Sequence, residues 1–303
     1  MERYTIHHFN RDFPDDDACL EHLLRLIYPD GVVCRKCEQV RPHARLTGRK
    51  AYSCAYCGTH VYPLAGTIFE KSPTPLKSWF YAMFLVSSTR CGISAKQLER
   101  ELGVTYKTAW RMYSQIRKLL GEDVGRLSGS VEMDETYVGG KRRGTPRGRP
   151  GKDSHKTPVF GVVERGGKVA AFVTPDTKRA TVMPIIQEKV LPESLVYTDE
   201  YIVYEGLQGK GYEHRRVNHS QKVYVMGDAH TNSIEGFWSL LKNSIRGVYH
   251  SVSAKHLQGY VNEYAFRYNR RNDTEPMFDA INARVTSVRH GRYGAYAPLP
   301  DNA

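Results

Sequence analysis

In the first 120 residues, apolar side chains recur at steps of three and four in separate blocks, the pattern of amphipathic helices. Ala18, Leu20, Leu23, Leu24 and Ile27 form the first block. Asp15, Asp16 and Asp17 charge its opening turn and Pro29-Asp30-Gly31 ends it. Trp79, Phe80, Met83, Phe84 and Val86 form the second, opened by Thr74-Pro75-Leu76 and broken at Cys91-Gly92. Ser94 caps a third through Leu98, Glu99 and Leu102, which Gly103 ends. Thr105 caps a fourth with Ala109, Met112, Ile116, Leu119 and Leu120. Residues 122–130 read as a linker, and beyond them the period changes. Strands are predicted over 130–138, 158–164, 168–174, 194–199 and 212–218, with Arg165-Gly166-Gly167 as a hairpin turn. Helices fit 179–190, a short piece at 201–207, the stretch 230–242, and a last one through Leu257, Val261, Tyr264, Ala265 and Tyr268. Three strands followed by strands alternating with helices predict a mixed sheet with helices on both faces. The chain is thus an α+β multidomain protein: a helical lead-in (1–30), a cysteine-bearing segment (31–70), a helical segment (71–125), a sheet domain (126–285) and a tail (286–303) rich in Arg, Gly and Pro. No internal repeat is present.

One helix carries more than a packing face. In His230–Lys242, HTNSIEGFWSLLK, Ile234, Phe237, Trp238, Leu240 and Leu241 supply the apolar positions. Asn232, Glu235, Ser239 and Lys242 recur at steps of three and four and share one polar stripe. Alone, that stripe reads as a solvated Glu–Lys face. Two earlier runs, VEMDETY with Asp134 and SLVYTDEY with Asp199, change the reading, because each is a β-rich segment ending in a carboxylate. Two strand-end aspartates and one helix-borne glutamate are the donors that two Mg²⁺ ions need for phosphoryl transfer. In a regular strand Glu135 and Glu200 point away from their aspartate neighbours, whereas Glu132 shares the face of Asp134 and stays a candidate. Lys242, two turns beyond Glu235, points along the same face and is suited to hold a phosphate.

The cysteines add a second chemistry. Cys34-Arg-Lys-Cys37 and Cys54-Ala-Tyr-Cys57 stand sixteen residues apart. Paired C-x-x-C knuckles at that gap match a tetrahedral four-cysteine zinc site, the layout of a zinc ribbon. Zinc would supply folding energy on the order of 10–16 kcal/mol. The competing reading, two redox pairs, lacks the βαβ context it needs. Cys19 and Cys91 have no partner spacing and read as ordinary thiols.

Composition decides the class of partner. The chain of 303 residues has 44 Lys and Arg against 32 Asp and Glu, a net charge of +12. Such a balance favours polyanions, and double-stranded DNA before a membrane. The longest apolar run, Trp79–Val86, falls far short of the ~20 residues of a spanning helix. The N-terminus lacks the shape of a secretory signal, so an intracellular, cytoplasmic location is expected. The helices at 94–102 and 105–120, the second basic, form the picture of a helix-turn-helix. Thr105, Tyr106, Lys107, Thr108 and Arg111 are its DNA-facing candidates; a plain three-helix bundle is the bland alternative. The segment 141–156 has seven Lys or Arg in sixteen residues, among them Lys141, Arg142, Arg143, Arg147 and Arg149. It reads as a loop that binds phosphate backbone, or else as a solubilising loop.

With these features together, the chain resembles DDE-type insertion-sequence transposases with an N-terminal zinc ribbon, the ISXO-like family related to the eukaryotic Merlin elements. The resemblance rests on the paired cysteines, VEMDETYVGG, VYTDEY, VNHS at 217–220, and HTNSIEGFWSLLK followed by GVYH at 247–250. It implies a ribonuclease-H-like catalytic domain, structural Zn²⁺ and catalytic Mg²⁺ or Mn²⁺. It also implies cleavage at transposon ends, then 3′-hydroxyl attack on target DNA, by a homodimer or larger assembly at a bacterial nucleoid. Asp134, Asp199 and Glu235 match its acidic positions and Lys242 its basic one. Asn also occurs at the third acidic position in the family, so Asn232, one turn before Glu235, remains an alternative ligand. The competing functional class is a DNA-binding regulator on an inert transposase domain.

Overall fold

The computed structural model describes residues 4–139, 156–217 and 230–286. The chain divides into two units, Met1–Leu119 with Thr274–Ala303, and Leu120–Asp273.

In the first unit, α1 (Ile6–Asp12) and α2 (Asp16–Ile27) lead in. The Asp15 carboxylate accepts from the Ala18 amide at 2.8 Å, so one of the three predicted acids serves as the N-cap. Five short strands follow: β1 (Val33–Cys34), β2 (Gln39–Val40), β3 (His43–Arg45), β4 (Tyr52–Cys54) and β5 (His60–Val61). They pair antiparallel as β1-β2 and β3-β4-β5. Then come α3 (Leu76–Ser88), α4 (Ala95–Leu102) and α5 (Tyr106–Leu119). The Ser94 hydroxyl caps α4, and Gly103 ends it in the left-handed conformation, φ 63°. The helix Met277–Ala283 belongs to this unit: Phe278 stacks on Tyr4 at 4.8 Å and meets Phe13 edge-on at 5.8 Å.

The second unit is a five-stranded mixed sheet. Its elements are β6 (Ser130–Val138), β7 (Thr157–Glu164), β8 (Val169–Val173), α6 (Arg179–Lys189), β9 (Leu195–Thr198), β10 (Glu213–Arg216), α7 (Asn232–Ser244) and α8 (Ala254–Asn269). The strand order is β10-β9-β6-β7-β8. β10, β9 and β6 run parallel; β7 and β8 are antiparallel to their neighbours. Alternation sorts the sheet into two faces. Val131, Met133, Phe160, Val162 and Val196 pack with Val182, Met183 and Ile186 of α6. Val138, Val159, Val163 and Ala171 pack with Ile234, Phe237 and Leu241 of α7 and Leu257, Val261 and Tyr264 of α8. Among the described residues, no helix is long and apolar enough to cross a membrane.

Candidate active site

The cysteines come together first. Cys34 ends β1 and Cys54 ends β4, and Cys37 and Cys57 stand in the turns that follow. Both turns close alike: the Glu38 amide donates to the Cys34 carbonyl at 2.8 Å, and the Gly58 amide to the Cys54 carbonyl at 3.0 Å. Glu38 and Gly58 both take positive φ, 53° and 72°. All four sulfurs lie within 4.8 Å of one another, as four ligands about 2.3 Å from one ion must. Thr59 Oγ1 lies 3.2 Å from Cys57 Sγ. That hydroxyl and then the Thr59 amide lower the Cys57 thiol to about 6, while hydrogen bonding to Cys57 and then burial push Cys37 up to about 12. Thiols that share protons this unequally suit a soft cation that displaces them all. The cluster is placed to bind one zinc ion. Cys19 is fully buried, and burial raises its thiol to about 12, the state of a core residue; Cys91 is exposed.

The acids come together by strand register. β9 pairs with β6 in parallel, Val131 opposite Val196 and Glu132 opposite Tyr197. Two residues beyond the last of these pairs lie Asp134, in the middle of β6 rather than at its end, and Asp199, just past the end of β9. Both belong to the face covered by α7, since Val131, Met133 and Val196 face α6. An open cleft of about 400 Å³ results, lined by Asp134, Asp199, Thr231, Glu235, Trp238 and Lys242 among others. Lys242 follows Glu235 by two turns of α7 and borders the same cleft. Asn232, exposed at the start of α7, is not among the lining residues.

Each charged group there has a distinct setting. Asp134 Oδ2 accepts from the Trp238 indole N–H at 3.0 Å. Gly161 lies opposite Asp134 on β7, and a Cβ there would sit 2.6 Å from the Trp238 ring. A glycine is therefore required for that indole to reach the carboxylate. Burial, then the Asp199 charge, raise Asp134 to about 7, with the Trp238 hydrogen bond opposing. Glu235 Oε1 accepts from the Thr231 hydroxyl at 2.8 Å, and Asp199 Oδ1 accepts from the Tyr201 amide at 3.0 Å. Burial lowers the Lys242 ammonium below its usual range, while the Asp134 carboxylate pulls the other way.

Glu132, the open competitor, has other work. It is completely buried. One oxygen accepts from the Ser233 and Ile234 amides at 2.8 and 3.0 Å; the other accepts from the Ser233 hydroxyl at 3.1 Å and Arg165 Nε at 2.8 Å. Thr231, at the N-cap of α7, makes no side-chain capping bond. Glu132 therefore supplies the anion at the N-terminus of α7 from the sheet below. Arg165 also donates to the His230 carbonyl at 2.7 Å and lies over the Tyr197 ring at 3.9 Å. Alternation predicted that Glu132 shares the face of Asp134; nothing in sequence spacing shows that a helix start consumes its oxygens. Glu135 borders the cleft, but its Oε2 accepts from the Tyr204 hydroxyl at 2.8 Å, on the α6 face. Glu200 is exposed.

The helical candidates spread along the start of α5. Thr105 Oγ1 accepts from the Thr108 amide at 3.3 Å, so Thr105 is a cap. Tyr106, Lys107 and Arg111 are exposed, as is Trp110, which sequence reasoning passed over. Arg111 donates to Ser72 Oγ at 3.3 Å. Lys141, Arg142, Arg143, Arg147 and Arg149 lie outside the described residues, as do positions 218–220 of the VNHS motif.

Comparison with known proteins bears on both units. Residues 126–269 match the family described as ISXO2-like transposase domain, and residues 14–60 the transposase zinc-ribbon domain. An uncharacterised protein in the transposable element ISH50 of Halobacterium salinarum is 27% identical over 273 residues, 85% of this chain and 92% of its own length. An uncharacterised transposase-like protein of Haemophilus influenzae is 34% identical over 102 residues, 34% of this chain and 81% of its own. Among solved structures, the Mos1 strand transfer complex matches with a TM-score of 0.29 and 13% identity over 70% of this chain and 78% of that one.

Proposed function

Because this chain belongs to the ISXO2-like transposase family, we propose that it cuts DNA at the ends of its own element and joins the freed 3′-hydroxyl to target DNA. The observation that carries this reading is the one cleft lined by Asp134 and Asp199, from the neighbouring parallel strands β6 and β9, and by Glu235 of α7.

Asp134, Asp199 and Glu235 would hold divalent Mg²⁺ or Mn²⁺. Their setting fits such ions: burial, then the Asp199 charge, raise Asp134 to about 7, and a cation beside the carboxylates would offset both. Held there, such ions would supply Lewis-acid chemistry for an in-line displacement, at the attacking water or hydroxyl and at the leaving oxygen. The chain does the rest. Trp238 and Thr231 hold Asp134 and Glu235 in fixed orientations, so little reorganisation accompanies ion binding. Lys242 supplies a cation for phosphate oxygens beside the carboxylates. Asn232 takes a supporting role one turn before Glu235.

The same reading assigns the zinc ribbon (31–70) and a helix-turn-helix (71–125) to recognition of double-stranded DNA, through Thr105, Tyr106, Lys107, Thr108 and Arg111. The catalytic domain (126–285) adds phosphate contacts from Lys141, Arg142, Arg143, Arg147 and Arg149. Two ends must be cut and joined, which calls for a homodimer or larger assembly on DNA at the nucleoid. Incubating the purified chain with a duplex carrying the element's end tests this. Strand cleavage with Mg²⁺ and none in EDTA is expected; binding without cleavage in any divalent ion would leave a DNA-binding regulator.

A further inference from the structure

The GVYH motif contributes nothing to the carboxylate cleft, yet its backbone is irregular in two ways. α7 does not end in a cap but widens into a π-helical turn, Ile245–Tyr249. Such turns are rare and collect at functional sites. His250 then takes φ 61°, a left-handed conformation costly for a side chain that is not glycine. Its Nδ1 lies 3.2 Å from the Arg246 carbonyl. A carbonyl only accepts, so Nδ1 carries the proton there and Nε2 is left for another partner.

These features shape a second cavity of about 100 Å³, lined by Lys242, Arg246, His250 and Ser251 among others. Lys242 borders both cavities, so the two lie side by side. Lys242, Arg246 and His250 follow one another at steps of four, carrying on in sequence from the polar stripe of Asn232, Glu235, Ser239 and Lys242. Neither Lys242 nor Arg246 makes an ion pair within 4 Å among the described residues. Two neighbouring cations, an imidazole and a hydroxyl on one small hollow are complementary to a tetrahedral oxyanion.

We infer that the π-turn is a phosphate subsite: Arg246 and His250 bind a DNA phosphate next to the one held at the carboxylate cleft. This rests on the proposed nuclease reading. The subsite sets the path of the strand leaving the metal ions and positions the reactive phosphate without touching it. Arg246 is exposed, so its removal leaves the core intact.

The test is a cycle of protein and DNA changes, with binding read in EDTA where no cleavage occurs. The probe is a duplex carrying the element's end, in which single phosphates around the cleavage position are replaced by neutral methylphosphonates. For the wild-type chain, one replacement adjacent to the scissile phosphate should weaken binding about tenfold. Arg246→Ala should lose about as much on unmodified DNA, reduce the salt slope by about one, and become indifferent to that replacement. His250→Ala should show a smaller loss at the same position, and Arg246→Lys should recover most of the affinity. Losses that simply add across every modified position, or an unchanged salt slope in Arg246→Ala, would overturn the subsite. Wild-type cleavage in Mg²⁺ is read separately. Its absence counts against the nuclease reading, while the binding cycle still decides whether Arg246 meets a phosphate.

Discussion

Asp134 holds opposing demands. Its value of about 7 lies above the ordinary 3.8 of an aspartate, so the folded chain binds this proton more tightly than the unfolded one. Stability from this group therefore falls as pH rises from about 4 to 7, and stays reduced above 7 while no cation is bound. Asp134→Asn should raise the melting temperature of metal-free protein at pH 8, by about 2–4 °C per kcal/mol recovered. It should also abolish most of the further rise that Mg²⁺ gives the wild type; scanning calorimetry with and without Mg²⁺ checks both. An Asn variant no more stable than wild type at pH 8 would mean that the carboxylate is not strained. Trp238 acts on the same group through one N–H. Trp238→Phe keeps the ring packing but drops that bond, and should slow cleavage about 10–100-fold while DNA affinity holds. Equal rates for the two proteins would remove Trp238 from the site.

At the scale of elements, α7 depends on a residue a hundred positions away. Glu132 binds two of its first amides and Arg165 together, and it is fully buried. Glu132→Ala leaves those donors and Arg165 unmatched and should destabilise the protein by about 3–5 kcal/mol, measured by urea unfolding. A loss under about 1 kcal/mol would show that α7 stands without it. The strands β6, β7 and β8 and the cap at Ser94 were legible in the sequence, because each has a local cause: alternation, a hairpin turn, or a side chain reaching its own helix. The π-turn was not, since five apolar and polar residues at 245–249 fit an ordinary helix end equally well. Nor was the role of Glu132, which needs a contact across the fold. The knuckles were legible because both halves of the zinc site are local turns. Replacing Cys34 and Cys54 together with Ser should remove one zinc per chain in elemental analysis; full retention would contradict a four-cysteine centre.

Across the whole molecule, spacing predicted the acids at the ends of two strands and on one helix; Asp199 does follow the end of β9 and Glu235 lies on α7, but β6 continues past Asp134 to Val138. It did not show that β9 lies beside β6, which brings Asp134 and Asp199 to one cleft and depends on strand order. Nor did it show that Phe278, late in the chain, packs on Tyr4 and Phe13 near its start. Charge was legible at this scale as well. The net +12 predicts salt-dependent DNA binding, and changing Lys141, Arg142, Arg143, Arg147 and Arg149 to Ala should flatten the dependence of affinity on salt. An unchanged slope would leave that segment a solubilising loop.

The central claim is that Asp134, Asp199 and Glu235 act as one metal-dependent site. Strand cleavage of an end-bearing duplex by full-length protein in Mg²⁺ tests it most directly. Asp134→Ala, Asp199→Ala and Glu235→Gln should each be inactive yet bind DNA at least as well as wild type, and Asn232→Ala should be only partly slowed. Cleavage near the normal rate by Glu235→Gln, with Asn232→Ala inactive, would move the third ligand to Asn232; normal cleavage by all four variants would contradict the metal site altogether.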